Sequence, residues 1–282
     1  MVRLMNSAVE HDLGAVRSSG GELDIRALGH RYGANEILSG IDLTVRPGEF
    51  ISLVGPSGVG KSTLLRCLSG LQRPTDGEVR YRGALLAEPV TGVAVVFQDY
   101  SRSLLPWSSV LDNVALPLRS AGRSKKDSRS LAREALAEVG LASVDPKAYP
   151  WQLSGGMQQR VAIARALVYR PSLVLMDEPF ASVDAQTRAD LEDLVRRLHG
   201  ELALSVVLVT HDMDEAVYLS DRVVVLNGKP ATIATVLDVD LGATRDQVET
   251  KSTTRFTELR GEIYRIIHPA NSAANPSAPA SI

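Results

Sequence analysis

One cysteine, Cys67, stands alone among 282 residues. Its isolation excludes an internal disulfide framework and a cysteine-cluster metal site, and it suits a reducing compartment. An excess of one charge is also missing: 31 Lys and Arg stand against 33 Asp and Glu, a formal net of −2. That balance gives no global electrostatic case for nucleic acid, and no nucleic-acid partner is expected. Long hydrophobic runs are absent as well. The strongest, Val93 to Phe97 and Leu173 to Met176, have strand length, far below the ~20 apolar residues that span a bilayer. The opening MVRLMNSAVEHDLG is interrupted by Arg3, Asn6, Glu10, His11 and Asp12, so it lacks the apolar region of an export signal. No internal repeat is evident, and at roughly 150 residues per domain the length fits one large domain or two small ones.

What is present is an alternation of short β-branched runs with helical patterns. FISLVG, VAVVF, SLVLMD, SVVLVT and RVVVL are apolar throughout, the pattern of strands covered on both faces of a mainly parallel sheet. LDIRAL and IDLTV alternate instead, and the turn Arg46-Pro47-Gly48-Glu49 leads from IDLTV into FISLVG; this predicts an antiparallel β edge region joined to the core. From Leu104 to about Arg170 the texture turns helical, in SLAREALAEVGL and in MQQRVAIARALVY, where Met157, Val161, Ala164 and Val168 share a face. The fold class expected is α/β, a mainly parallel core with an inserted α-helical subdomain. The Pro-, Ala-, Ser- and Asn-rich end HPANSAANPSAPASI has too little apolar surface to offset the entropy of ordering. Flexible tails are expected at 1–21 and 269–282.

Gly55-Pro56-Ser57-Gly58-Val59-Gly60-Lys61-Ser62-Thr63 matches GxxxxGK[ST] between a strand and a helix in which Leu64, Leu68 and Leu71 share a face, the context a phosphate-binding loop requires. Gly55, Ser57, Gly58, Gly60 and Thr63 belong to the wrap of backbone amides around phosphate oxygens. Lys61 is placed to hold the β- and γ-phosphates and Ser62 to ligate Mg2+. Asp177 and Glu178 end the apolar run LVLM and, as neighbours on a strand, point to opposite sides. Two roles result: Asp177 for hydrated Mg2+, and Glu178 as the base for the attacking water. Cys67, in the helix after the loop, reads as a small core residue.

Leu153-Ser154-Gly155-Gly156-Met157-Gln158-Gln159-Arg160 opens a helix with Ser154 as N-cap and two glycines that let a phosphate approach its amides. With the phosphate loop before it and Asp177-Glu178 after it, this segment resembles the signature of the ATP-binding-cassette ATPases, over roughly residues 22 to 230. The resemblance implies further roles. Tyr32 would stack on adenine, Gln98 would sense Mg2+ and the attacking water, and His211 would contact the γ-phosphate. Ser182-Val183-Asp184 would cross a dimer interface, with Val183 where Leu is commoner. It also implies a head-to-tail homodimer, in which Ser154, Gly155, Gly156 and Gln158 of one chain complete the ATP site built on Lys61, Glu178 and His211 of the other. Met157 stands where many members carry Gln.

A narrower resemblance lies in VVFQDYSRSLLPWSSVLDNVALPLR, DEPFASVDAQTR and FTELRGEIYRII, which look like the ATPase subunits of nitrate, sulfonate and taurine importers. DEPFASVD departs from the Gly-Ala-Leu-Asp ending expected after Phe180. This implies integral membrane permease subunits, received on the surface formed by Leu104 to Trp107 and Val110 to Val114, an external solute-binding protein, and a peripheral place on the cytoplasmic face of the cell membrane. The alternatives are a cassette ATPase of an exporter or for another solute, and a soluble cassette ATPase without a transport role. The domains expected are the cassette at 22–230, with its helical subdomain at about 98–170, and a C-terminal extension at 231–268. Within that extension, FTELRGEIYRII reads as a cover for the core, and Arg119, Arg123, Lys125 and Lys126 read as a solvated loop.

Overall fold

The computed structural model describes residues 22–99 and 103–268; the tails expected at 1–21 and 269–282, and residues 100–102 of the stretch after Gln98, lie outside the described residues. Strands β1 (Leu23–Tyr32) and β2 (Asn35–Val45) form an antiparallel hairpin, and β3 (Phe50–Val54) runs into the phosphate loop and helix α1 (Lys61–Leu68). Next come β4 (Asp76–Tyr81), β5 (Ala84–Leu85) and β6 (Val93–Val96), then helices α2 (Val110–Ser120), α3 (Lys125–Glu138) and α4 (Gly155–Leu167). The remainder is β7 (Leu173–Asp177), α5 (Ala185–Leu202), β8 (Ser205–Val209), α6 (Met213–Leu219), β9 (Arg222–Asn227), β10 (Thr232–Asp238) and α7 (Thr254–Ile267).

The larger sheet has the order β10-β9-β3-β8-β7-β6, parallel except for β10 on β9. Its central strands are apolar on both faces because both faces are covered. Ile51, Leu53, Leu175, Val207 and Val224 turn to one side, into a core shared with Leu64, Leu65 and Cys67 of α1. Phe50, Val54, Val174, Val206 and Val223 turn to the other, toward α4, α5, α6 and α7. The alternating strands form a sheet of their own, β2-β1-β4-β5, which closes the α1 side with Leu23, Ile25, Leu28 and Val79. A β-bridge between Leu38 and Ala231, just ahead of β10, joins it to the larger sheet.

Helix α4 differs from the one-sided pattern in its sequence. Val161, Ala164 and Val168 are buried, but so are Ala162, Ile163, Ala166 and Leu167, because α4 is packed among α2, α3, α5 and β6. Small side chains allow that close approach. Leu71 does not continue the face of Leu64 and Leu68: α1 ends at Leu68, Gly70 takes a φ of 72°, and Leu71 is exposed. Lys125 and Lys126 lie in the first turn of α3, exposed as expected but helical. In α7, Phe256, Leu259 and Ile263 are buried against the core beside α6 and β9, consistent with a covering helix.

Candidate functional site

The site forms where three parallel strands end. After β3 the chain approaches β9 so closely that a Cβ on Gly55 would lie 2.5 Å from the carbonyl oxygen of Leu226. At Gly60, φ of +116° and the nearness of Ile37 and Leu38 leave room for glycine alone. These two constraints fix the loop, with Ser57 and Gly58 exposed at its tip and Thr63 partly covered in α1. Lys61 is buried, and its Nζ donates to the carbonyls of Gly55 (2.9 Å) and Pro56 (3.1 Å). Burial lowers its pKa, while Glu178 and Asp177 act in the opposite direction.

Ser62 Oγ donates to Asp177 Oδ1 at 3.3 Å. Burial raises the Asp177 carboxyl above its ordinary value, and repulsion from Glu178 adds to this. Glu178 takes a φ of 43°, a left-handed conformation unusual outside glycine, and its amide donates to Val209 O (2.8 Å). The carboxylate is thereby turned off the end of β7. Its Oε2 accepts from Gln98 Nε2 (3.2 Å) and lies 3.0 Å from His211 Nδ1. Ser62, Gln98 and His211, singled out in sequence, therefore meet the adjacent carboxylates of Asp177 and Glu178, and Lys61, held on the Gly55 and Pro56 carbonyls, feels their charge. A hydroxyl and a carboxylate with raised proton affinity form a hard-oxygen pair that fits Mg2+. Among the described residues there is no group of three or more His, Cys, Asp or Glu side chains able to hold a metal by themselves, so phosphate and water oxygens would have to complete such a site.

Tyr32 stands at the end of β1, 47% exposed, its hydroxyl donating to Gln72 Oε1 (3.0 Å) and its ring edge-on to His30. Ser154, Gly155, Gly156 and Gln158 are not hydrogen-bonded to this centre. Ser154 Oγ caps α4 by accepting from Met157 N, and Gln158 Nε2 donates to Leu153 O (3.1 Å). Ser154 remains exposed.

A sequence profile described as ABC transporter matches residues 38–181. The chain belongs to the ABC transporter family. A nitrate import ATP-binding protein of Synechococcus elongatus is 44% identical over 84% of this cassette's chain, which spans 36% of that longer protein. An aliphatic sulfonates import ATP-binding protein of Xanthomonas axonopodis is 46% identical over 87% of the chain and 96% of its own length. A taurine import ATP-binding protein of Chromobacterium violaceum is 47% identical over 72% of the chain and 77% of its own length. Among solved structures, a dimeric ATP-binding cassette in a post-hydrolysis state with ADP and Pi superposes with a TM-score of 0.68 at 32% identity, over 77% of this chain and 98% of that one. The cassette binds ATP, and no helix among the described residues is long and apolar enough to cross a membrane.

Several groups around the site carried no signal in the sequence. Glu215, in the first turn of α6, is 4% exposed and accepts from Thr210 Oγ1 (2.6 Å). Burial pushes its carboxyl up to about 7, with Asp212 and Glu192 adding to the rise and Thr210 and Arg188 opposing it. The sign of the stability effect follows. Between 4.5, the ordinary carboxyl value, and about 7, the folded chain binds more protons here than the unfolded chain. Stability from this group therefore falls as pH rises through that window and levels off above it. Urea unfolding at pH 5 and pH 8 should show Glu215→Gln removing a pH-dependent loss on the order of 3 kcal/mol. An unchanged pH slope in the variant would contradict it.

Proposed function

We propose that this cassette is the ATP-hydrolysing subunit of an importer. The observation that supports it most is the Glu178 carboxylate, held between Gln98 and His211 beside the Lys61, Ser62 and Asp177 group. In this reading Lys61 exchanges the Gly55 and Pro56 carbonyls for the β- and γ-phosphates of ATP, and the loop amides from Gly55 to Thr63 take the remaining phosphate oxygens. Tyr32 stacks on the adenine ring. Gln98 and His211 hold Glu178 and the attacking water in line, and Glu178 Oε2 takes the water proton. His211 then faces the γ-phosphate. Ser62, Asp177 and Gln98 would hold Mg2+. When bound, that ion offsets charge on the phosphates.

Ser154, Gly155, Gly156 and Gln158 have no partner site in their own chain in this reading. They serve a second copy, and two sites close head to tail in a homodimer. In this reading the cassette spans 22–230, with its helical subdomain at about 98–170, and the extension covers 231–268, whose strand β10 continues the larger sheet. The surface for integral membrane permease subunits is narrower than the sequence suggests. Trp107 is 75% exposed, but Leu104, Val110, Leu111 and Val114 are buried, and Asn113 fastens the 105–109 turn by accepting from Leu105 N and donating to the carbonyls of Leu105, Ser108 and Ser109. The cassette sits on the cytoplasmic face of the membrane, and an external solute-binding protein delivers a small oxyanion of the nitrate, sulfonate or taurine class.

The test is purification of the cassette with its membrane partners, reconstitution in vesicles, and ATPase assay with the binding protein loaded in turn with nitrate, an alkyl sulfonate, taurine or bicarbonate. One of these should stimulate turnover. Purification from membranes without any integral membrane protein would overturn the importer reading.

A further inference from the structure

His211 lies 61% exposed at the side chain, so packing alone does not fix its ring beside Glu178. Its position is inherited from the residues on either side. Thr210 is 1% exposed; its hydroxyl accepts from Asp212 N (3.0 Å) and donates to Glu215 Oε2. Asp212 caps α6, with Oδ1 accepting from Asp214 N (2.8 Å) and Glu215 N (3.1 Å). Oδ2 of Asp212 accepts from Arg188 Nη1 at 3.2 Å, whereas Arg188 Nε, a buried donor with no hydrogen-bond partner among the described residues, stands at ion-pair distance, 3.8 Å, from Glu215 Oε1. One guanidinium thus hydrogen-bonds Asp212 and faces the Glu215 carboxyl as an ion pair, at the two ends of the first turn of α6. A helix of seven residues has little stability of its own; buried Ala216, Val217 and Leu219 anchor its far end in the core, and the Arg188 tie bears on its first turn, next to His211.

Arg188 comes from the first turn of α5, four residues beyond the cap Asp184, which accepts from Thr187 N (3.0 Å) and Thr187 Oγ1 (2.7 Å). The same turn abuts α4: a Cβ on Gly156 would lie 2.3 Å from Thr187 Cγ2. Arg188, Glu215, Glu178 and His211 also line one small cavity of about 40 Å3. The first turn of α5 therefore touches the segment with Ser154 and Gly156 on one side and the His211 loop on the other.

We propose that Arg188 and Glu215 are positioning residues of the hydrolytic centre, clamping the His211 loop to the first turn of α5 so that the histidine keeps its place beside Glu178. The inference rests on the reading of Glu178 and His211 as a hydrolytic pair. Removing Arg188 leaves Asp212 and Glu215 without their shared cation and frees the loop. A displacement of about 1 Å near the reacting atoms costs up to about 100-fold in rate.

The experiment combines steady-state ATPase kinetics with hydrogen exchange on the full chain. Arg188→Ala should lower kcat about 10- to 100-fold while KM for ATP stays within about twofold, the mark of a group acting on the chemical step. Arg188→Lys should recover part of the loss, since an ammonium keeps a positive charge near Asp212 and Glu215 without the guanidinium's planar fork. The double variant Arg188→Ala/Glu215→Gln should be no slower than the slower single variant, because both act through one loop. Amide exchange across 210–215 should rise in Arg188→Ala, while Glu201→Ala, at an exposed pair on the same helix, leaves it unchanged. A folded Arg188→Ala with wild-type kcat, losses that multiply in the double variant, or unchanged exchange at 210–215 would overturn the clamp. A wild-type chain that hydrolyses no ATP would instead overturn the hydrolytic reading, and the exchange comparison would still decide the clamp.

Discussion

Glu178→Gln should bind ATP as the parent does and lose hydrolysis by about 10^2- to 10^4-fold, the range for removal of a general base. The substitution keeps side-chain length and leaves an oxygen to accept from Gln98 Nε2, so the contact at 3.2 Å has a replacement. It also keeps the backbone amide bond to Val209 O and demands nothing new of the left-handed φ. What it removes is the negative charge and basicity of the carboxylate whose Oε2 lies 3.0 Å from His211 Nδ1, so the amide oxygen left there can accept a hydrogen bond but cannot take the proton from water. Nearby carboxylate repulsion falls too, which favours bound phosphate. A nucleotide-binding titration and a phosphate-release assay on one preparation separate the two effects: retained affinity with lost turnover supports the base assignment, and undiminished turnover refutes it.

Ser154→Arg should leave nucleotide binding to the isolated chain unchanged and lower hydrolysis by at least about 100-fold, provided ATP is completed by a second chain. Ser154 is exposed and its hydroxyl does no more within its own chain than cap α4. Loss of that cap costs on the order of 1 kcal/mol, too little to unfold a helix packed among α2, α3, α5 and β6. The effect on turnover would then come from a long cation filling the space for the partner's γ-phosphate. Hydrolysis at the parent rate would count against any shared site. The variant chain's melting curve separates loss of the cap from loss of the interface.

How much of this was legible in the sequence depends on where each constraint lies along the chain. The phosphate loop could be read because strand, glycines, lysine and helix are contiguous, and in the structure Lys61 and Ser62 open α1 directly after that loop. Asp177 and Glu178 could be read as a pair at a strand end, but strand alternation is not what separates them: β7 ends at Asp177, and Glu178 takes a left-handed φ of 43° that turns its carboxylate away. The antiparallel strands were legible as strands, but their place in a second sheet over α1 depends on pairings between β1 and β4, across a long stretch of intervening chain. Helix α4 shows one apolar face in its periodicity, yet alanines on its other sides are buried too, because small residues carry little hydrophobic signal even where helices meet closely. Leu71 had the right spacing and the wrong backbone, since Gly70 had already ended the turn. The Arg188 clamp left no trace, because an arginine one turn into a helix reads as a solvated charge until Asp212 and Glu215 are seen beside it.

The central claim is that ATP draws two copies of this chain into one closed unit with shared sites. Light scattering on Glu178→Gln, with and without ATP and Mg2+, measures this directly. The account predicts the monomer mass without nucleotide and twice that mass with it, two ATP retained per dimer, and reversion to monomer when Ser154→Arg is added in the same chain. A Glu178→Gln chain that binds ATP and stays monomeric, or a double variant that dimerises as well as the single one, would contradict it.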